Sequence, residues 1–428
     1  MRNLAALSQQ NQVQAQASRL PTLNAAASHN YNWGRAIDPF TNIYSNQQVR
    51  SNNISLNGSL VLFNGFYIHQ TIQQTKLEKQ VAETDIQQAQ LDVSINILQS
   101  YLSILLQRER LILNEQQVAL TSTQVQRMEA LKSSGAATES QVLDLKALLK
   151  MEEANLIIAK NNVKLAQIQL ALLLELPDPT VFNITAPVNL ETNSISYLSA
   201  EEAFLQAKEN IPQLKSLQYK EEALRYQYSA SKGRYYPRLT LNGSLSTLYS
   251  TTGRELSSAS LSGQRLGGVT GSGEDVFLYT YTNIFQDKPA GRQLEDNFGK
   301  FVGLTLTVPL LNGLQTRTTV QRTYIQTQQA SLDTKIALLS VQKNVYTYYY
   351  QAVASQEIFQ AQQSANRASE ESYRSAQKRL ENGVLTPLEY TQIKTRWVQS
   401  NTDVLTSKYD FLFKNSILDI YTGKPLSF

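Results

Sequence analysis

A chain of 428 residues is long enough for roughly two or three ordinary domains. Charged residues are 17% and hydrophobic residues 42%, below the usual ~25% and ~45–50%; uncharged polar side chains, with much glutamine, make up the difference. With 39 Lys+Arg against 35 Asp+Glu the net charge is only +4, which leaves no basic stripe for nucleic acid, and the absence of cysteine excludes disulfide scaffolds, thiolate catalysis and cysteine metal sites.

The chain opens on a glutamine-rich helical pattern from Leu4 to Ala17, without the basic and apolar stretches of a secretory signal. We expect a chain that begins late in its first helix, under truncated or mature numbering. The remaining elements come in two copies. Leu62-Phe63-Asn64-Gly65-Phe66 returns about 248 residues later as Leu310-Leu311-Asn312-Gly313-Leu314. At the same offset Gly135 and Thr138 return as Gly383 and Thr386, and Tyr101 returns as Tyr349. Upstream, Arg19-Leu20-Pro21 resembles Tyr235-Tyr236-Pro237.

The first copy, 1–175, reads as a truncated helix, strands near 20–33 and 51–63, a long helix 66–132, a tip turn 133–138 and a return helix 139–175. An equatorial segment follows at 176–198. The second copy, 199–422, reads as a helix 199–232, strands near 237–249 and 298–310, a long helix 314–381, a tip turn 382–386 and a return helix 387–422, with a tail at 423–428.

Each strand alternates with period two. Leu239, Leu241, Gly243 and Leu245 interleave with Thr240, Asn242, Ser244 and Ser246; Val302, Leu304, Leu306, Val308 and Leu310 interleave with Gly303, Thr305 and Thr307. In the first copy, Ile54, Leu56, Gly58, Leu60 and Leu62 face away from Ser55, Asn57, Ser59 and Val61. One apolar face and one of small neutral polar residues suit barrel strands with lipid outside and water inside. A half-buried soluble sheet shows the same alternation. Between the strands of the second copy, 250–297 reads as a long polar loop rich in Gly, Ser and Thr, the outer-loop habit of such barrels.

From Phe66 to Lys132 there is no Gly or Pro, enough for ~100 Å of helix, and Leu314 to Glu381 is equally uninterrupted. Each carries a heptad: Leu77, Val81, Thr84, Gln88, Leu91, Ile95, Leu98, Leu102 and Leu105 in one, Ile325, Gln329, Leu332, Ile336, Leu339, Lys343, Tyr346, Tyr350 and Val353 in the other. A second stripe, Ile86, Ala89, Val93, Ile97 and Ile104, faces elsewhere, so each helix expects two neighbours, as a stave does in a cylinder. At the tips Gly135 and Gly383 supply left-handed caps, Thr138 and Thr386 the next N-caps, and Pro387 fits the first turn of its helix. Tyr346, Tyr348, Tyr349 and Tyr350, with Tyr101, read as packing near a small side domain.

Four strands cannot close a membrane barrel, because open edges in lipid leave backbone groups unpaired. Three chains would give twelve. No stretch reaches the ~18–20 apolar residues of a transmembrane helix. The expected fold is therefore an α+β membrane protein, a homotrimer whose transmembrane β-barrel of twelve strands, four per chain, continues into a long α-helical barrel with a small mixed equatorial domain.

The duplicated helix–strand–strand–helix plan, the Pro entries, the Asn-Gly junctions and the glycine turns resemble the TolC family of outer-membrane efflux proteins over nearly the whole chain. Trp33-Gly34-Arg35-Ala36-Ile37-Asp38-Pro39 looks like a first-loop signature of one branch. The resemblance implies a trimer in outer-membrane lipid that reaches into the periplasm. It would serve as exit duct of a tripartite efflux or type I secretion system, joined to a periplasmic adaptor (membrane fusion protein) and an inner-membrane pump, and pass drugs, toxins or proteins. It also places adaptor docking at the tips, Gly135-Ala136 and Gly383-Val384. Constriction carboxylates fall six and nine residues past each tip glycine, here Gln141 and Asp144, then Glu389 and Gln392. The family's gate-latching Arg is Leu385 here, with Lys378 and Arg379 as nearby substitutes.

The sequence offers little to an enzyme, a cofactor or a metal. His29 and His69 are isolated, and no P-loop, GxGxxG or GxSxG occurs. The rival reading is a soluble elongated coiled-coil scaffold or adaptor with a small β cap.

Overall fold

Alternation of apolar and small polar residues after Pro21 and Pro237 favours extended backbone. In a computed structural model of the chain, which describes residues 2–37, 42, 44–45, 48–185, 195, 197 and 199–424, the elements run in the following order. After α1 (Arg2–Ala17) come β1 (Thr22–Asn32), the short pair β2 (Ala36–Ile37) and β3 (Tyr44–Ser45), and β4 (Val49–Asn64). The helices α2 (Tyr67–Ser133), α3 (Glu139–Leu173), α4 (Ala200–Asn210) and α5 (Pro212–Gly233) follow. Then come β5 (Arg238–Ser250), β6 (Arg254–Val269), β7 (Asp275–Asp287), α6 (Ala290–Asp296), β8 (Gly299–Thr307), α7 (Gln315–Glu381) and α8 (Pro387–Thr422). Both long helices have 67 residues. Residues 186–194, 196 and 198 of the equatorial segment, with Asp38, Pro39 and the end of the tail, lie outside the described residues.

The chain divides into two units, 7–77 with 222–327, and 1–6 with 78–221 and 328–428. The first holds an antiparallel sheet of order β1-β4-β5-β8. Its register joins Leu23, Gly58, Gly243 and Val302 in one row and Thr22, Ser59, Asn242 and Gly303 in the next. A bulge between Val61 and Phe63 takes Leu62 out of the alternation and sets Phe63 opposite Leu239. β8 stops at Thr307, so Val308 and Leu310 lie beyond the ladder, next to Pro309, which has no N–H to extend it.

Two further expectations need correction. The segment read as a long polar loop is an antiparallel ribbon, β6 against β7, whose turn is Gly271-Ser272-Gly273. Its Ser and Gly content hid the alternation of Phe277, Tyr279, Tyr281 and Phe285 with Thr280 and Thr282. The run 199–232 is two helices, because Ile211 is extended (φ −69°, ψ 119°) ahead of Pro212, as residues before proline are biased to be.

At the first Asn-Gly junction the chain turns with φ +63° at Gly65, and Gly65 and Gly233 meet backbone to backbone. A Cβ on Gly233 would stand 2.6 Å from the Gly65 carbonyl oxygen. At the second junction Gly313 is also left-handed (φ +59°), but nothing lies within 4 Å of its Cβ position. Gly65→Ala should therefore cost about 2–3 kcal/mol, where clash and backbone strain combine. Gly313→Ala should cost about 1 kcal/mol from conformation alone. Denaturant unfolding of the two variants side by side checks the difference.

In the second unit, Leu98, Leu102 and Leu105 of α2 pack with Tyr409 and Leu412 of α8, and Ile104 packs with Ala166 and Leu170 of α3. Around α4, Phe204 and Ala207 meet Val341, Val345 and Leu418, with Tyr346, Tyr348 and Tyr349 against them. Tyr350 stays exposed. The two heptads differ in fate: Leu77, Thr84, Leu98, Leu102 and Leu105 of α2 are buried, whereas Ile325, Leu332, Ile336 and Leu339 of α7 are more than half exposed.

Candidate functional site at the helix tips and the sheet

Both tips are built by the same local chemistry. Gly135 (φ +80°) ends α2, and Ala136 N–H donates to the Leu131 carbonyl at 2.8 Å; Gly383 (φ +70°) ends α7, and Val384 N–H donates to the Arg379 carbonyl at 2.9 Å. These bonds satisfy carbonyls orphaned at the helix ends. All four tip residues, Gly135, Ala136, Gly383 and Val384, are exposed, and neither glycine has anything within 4 Å of a Cβ position.

Thr138 and Thr386 then open α3 and α8 with full capping boxes. Thr138 N–H donates to Gln141 Oε1 at 2.9 Å, and Thr386 N–H donates to Glu389 Oε2 at 3.0 Å. Gln141 and Glu389 thus hold helix starts, while Asp144 and Gln392, one turn on, are exposed. The Thr386 backbone N–H and hydroxyl, with Arg379 nearby, hold the Glu389 carboxyl below its ordinary range. A lowered carboxylate stabilises the cap above its unfolded pKa and loses that contribution as pH falls through the folded value. Acidification below the ordinary carboxylate value of 4.5 should progressively fray the start of α8, and Glu389→Gln, which retains an acceptor, should remove this pH dependence. Hydrogen exchange of the first turn of α8 reads both.

Leu385, at the position of the family's latch Arg, is buried against Tyr373, Ala376 and Tyr390. Lys378 and Arg379 remain exposed. What joins the helices near the tips is a buried polar group that sequence reasoning missed. Lys394 of α8 is 2% exposed and donates to Glu152 Oε1 of α3 at 2.6 Å. Thr121 of α2 donates to the other Glu152 oxygen and accepts from Lys394. Beside it Gln124 of α2 donates to the Tyr390 hydroxyl, Tyr390 and Tyr373 share a 3.0 Å hydrogen bond, and Trp397 stacks on Tyr373 at 4.3 Å. Burial pushes the Lys394 amine down and the Tyr390 and Tyr373 hydroxyls up. The available signal was a cation on an apolar stripe, Tyr390, Ile393, Lys394 and Trp397 at helical spacing. At the rim, Arg127 of α2 pairs with Glu381 of α7 at 3.0 Å, and Lys146 of α3 with Glu129 of α2 at 2.6 Å.

The sheet has two chemically distinct faces. On one, Leu23, Leu304 and Leu306 are more than 60% exposed, with Val302 at 78%. On the other, Thr22 and Ser59 share a 2.9 Å hydrogen bond and Asn242 donates to Thr305 at 3.0 Å. An outward apolar face on an open sheet, opposite a hydroxyl- and amide-lined one, is the surface pattern of a water-filled barrel wall in lipid. No helix among the described residues is long and apolar enough to cross a membrane, and no group of His, Cys, Asp or Glu among them could hold a metal.

Membrane-facing strands joined to long capped helix hairpins define a channel protein of the outer-membrane class. The sequence profile described as outer membrane efflux protein matches residues 4–175 and 292–423, and the chain belongs to that family, the TolC family. Among solved structures it is similar to CusC, at a TM-score of 0.78 and 14% identity over 98% of this chain and 87% of that one. VceC from Vibrio cholerae gives 0.78 and 14%, over 99% and 92%. The CmeC outer membrane channel of Campylobacter jejuni gives 0.72 and 16%, over 98% and 83%. No curated protein matches in sequence. As a member of this family the protein is a non-catalytic conduit, an outer-membrane channel for efflux or secretion that extends into the periplasm.

Proposed function

We propose that three copies close a twelve-stranded barrel continued by a periplasmic helical barrel. The trimer would be the exit duct of a tripartite efflux or type I secretion system. The observation that carries this reading is the four-stranded sheet: its apolar face is exposed, and the outer edges of β1 and β8 have no strand partner among the described residues. Backbone groups on such edges cannot be left unpaired in lipid. The exposed apolar seam of α7, Ile325, Leu332, Ile336 and Leu339, supports association of copies, because no described residue of the chain covers it.

Under this reading the exposed tips, Gly135-Ala136 and Gly383-Val384, receive the periplasmic adaptor, which links the duct to an inner-membrane pump. The constriction takes Asp144 and Glu389, with Gln141 and Gln392 completing the ring. Six carboxylates around a trimer would favour cations. The protein mass of the detergent-solubilised particle tests the proposal. About three times 48.1 kDa is expected, and a detergent-free monomer would overturn it. In planar bilayers, Asp144→Asn with Glu389→Gln should shift the reversal potential away from cation preference. An unchanged potential removes the constriction assignment.

A further inference from the structure

The ribbon of β6 and β7 is held firmly at its root and bare along its length. At the root, Gln293 of α6 is 2% exposed. Its Oε1 accepts from the Ser250 N–H at 3.0 Å, and its Nε2 donates to the Lys288 carbonyl at 2.8 Å. Gly253 packs so closely on this carboxamide that a Cβ would stand 2.5 Å from it. Lys288 N–H donates to the Gly253 carbonyl at 2.9 Å, and Arg292 pairs with Glu255 at 3.0 Å across the base. The two strands therefore leave the sheet in a defined direction.

Above the root the register sorts the side chains by face. Leu256 lies opposite Phe285, Leu261 opposite Tyr281, and Arg265 opposite Phe277, with Tyr279 over Gly263. These six apolar and aromatic side chains are 47–75% exposed. Arg265, the cation on this face, is paired with Asp275. The opposite face carries Ser260, Ser262, Thr280 and Thr282 at its centre, with Leu278 and Ile284 toward its two ends. A two-stranded ribbon is marginal in water by itself, and contiguous apolar surface of this kind is seldom left uncovered.

We infer that the aromatic face of each ribbon docks on the ribbon of a neighbouring copy, so that the barrel carries a self-associated stem of ribbons at the loop end. This rests on the reading that three copies close one barrel. In that barrel the ribbon roots repeat every four strands, roughly 20 Å apart at ~4.8 Å per strand, while each ribbon of about thirteen residues reaches ~40 Å. A neighbour's ribbon is thus within reach and present at high effective concentration, ahead of any partner free in solution. Because Arg265 is already neutralised, the faces can meet without like-charge repulsion.

The chain has no cysteine, so a single introduced thiol is a unique reporter. Tyr281→Cys on the aromatic face and Thr282→Cys on the hydroxyl face would be treated with a short bismaleimide in native membranes. The purified particles would be weighed in parallel. Covalent dimers are expected from Tyr281→Cys at roughly tenfold the rate of Thr282→Cys. Trimer mass with no excess at Tyr281→Cys would overturn the stem and leave barrel closure standing. Monomer mass would overturn both. Protection of Tyr281→Cys by added outer-membrane glycolipid, without cross-linking, would assign the face to a different occupant and also overturn the inference.

Discussion

Lys394→Met alone should weaken the helix tips by about 3–5 kcal/mol, because it leaves the Glu152 carboxylate buried without its cation. Glu152→Gln should cost a similar amount for the mirrored reason. Replacing both, with Lys394→Met and Glu152→Met, should recover most of the loss, since an apolar pair of similar volume escapes the desolvation cost of two ions. Hydrogen exchange of α3 and α8 reads the opening free energy locally. An additive double variant would mean that the pair is not the coupling element. The pH response has a definite sign. Burial already holds the Lys394 amine below its ordinary 10.5, and Glu152 opposes that shift. In Glu152→Gln the opposition is gone, so between the folded and unfolded values the unfolded chain binds more protons. Stability of the tip then rises as pH is raised toward 10.5.

The second large effect concerns adjacent residues on opposite faces of one strand. Leu304→Arg puts a charge on the exposed apolar face of β8 and should cost about 2–4 kcal/mol per chain at mid-bilayer depth. In a trimer that penalty is incurred three times, and heat-resistant particles should disappear from the membrane fraction. Thr305→Arg, one residue on, faces the Asn242 side and should assemble normally while shifting conductance toward anions. If the two variants behave alike, the assignment of lipid and water faces is wrong.

Much of this architecture could be read in advance because its determinants are periodic. The absence of Gly and Pro over sixty-odd positions leaves little alternative to a continuous helix, and Leu-Thr-Leu-Asn alternation specifies which side of β5 is apolar. Features that depend on one local exception were not legible. The bulge after Val61 inserts a residue without altering composition, and the ribbon was masked by serines and glycines that looked like loop. Pro212 was a visible break that the long helical pattern overrode. At the tips, the Thr-to-Gln141 and Thr-to-Glu389 spacing was a capping-box signature in plain view, whereas the constriction role of these positions comes from the family resemblance. The Lys394–Glu152 pair could not be inferred from order alone, because its members lie 242 residues apart. Only the fold brings them together.

The contact between Gly65 and Gly233 has a genetic consequence. The obstacle to a side chain at Gly233 is the Gly65 carbonyl oxygen, and at Gly65 it is first the Gly233 carbonyl, with Tyr236 Cβ next at 2.8 Å. No change of a neighbouring amino acid can trim a peptide group. A selection for suppressors of Gly65→Ala should therefore return reversions to glycine and general stabilisers from elsewhere in the chain, with no allele-specific partner at 233. The two positions form a closed pair for neutral drift: neither can accept even a methyl group by adjusting the other. Gly313, with open space around it, stays free to explore the few residues that tolerate a left-handed backbone.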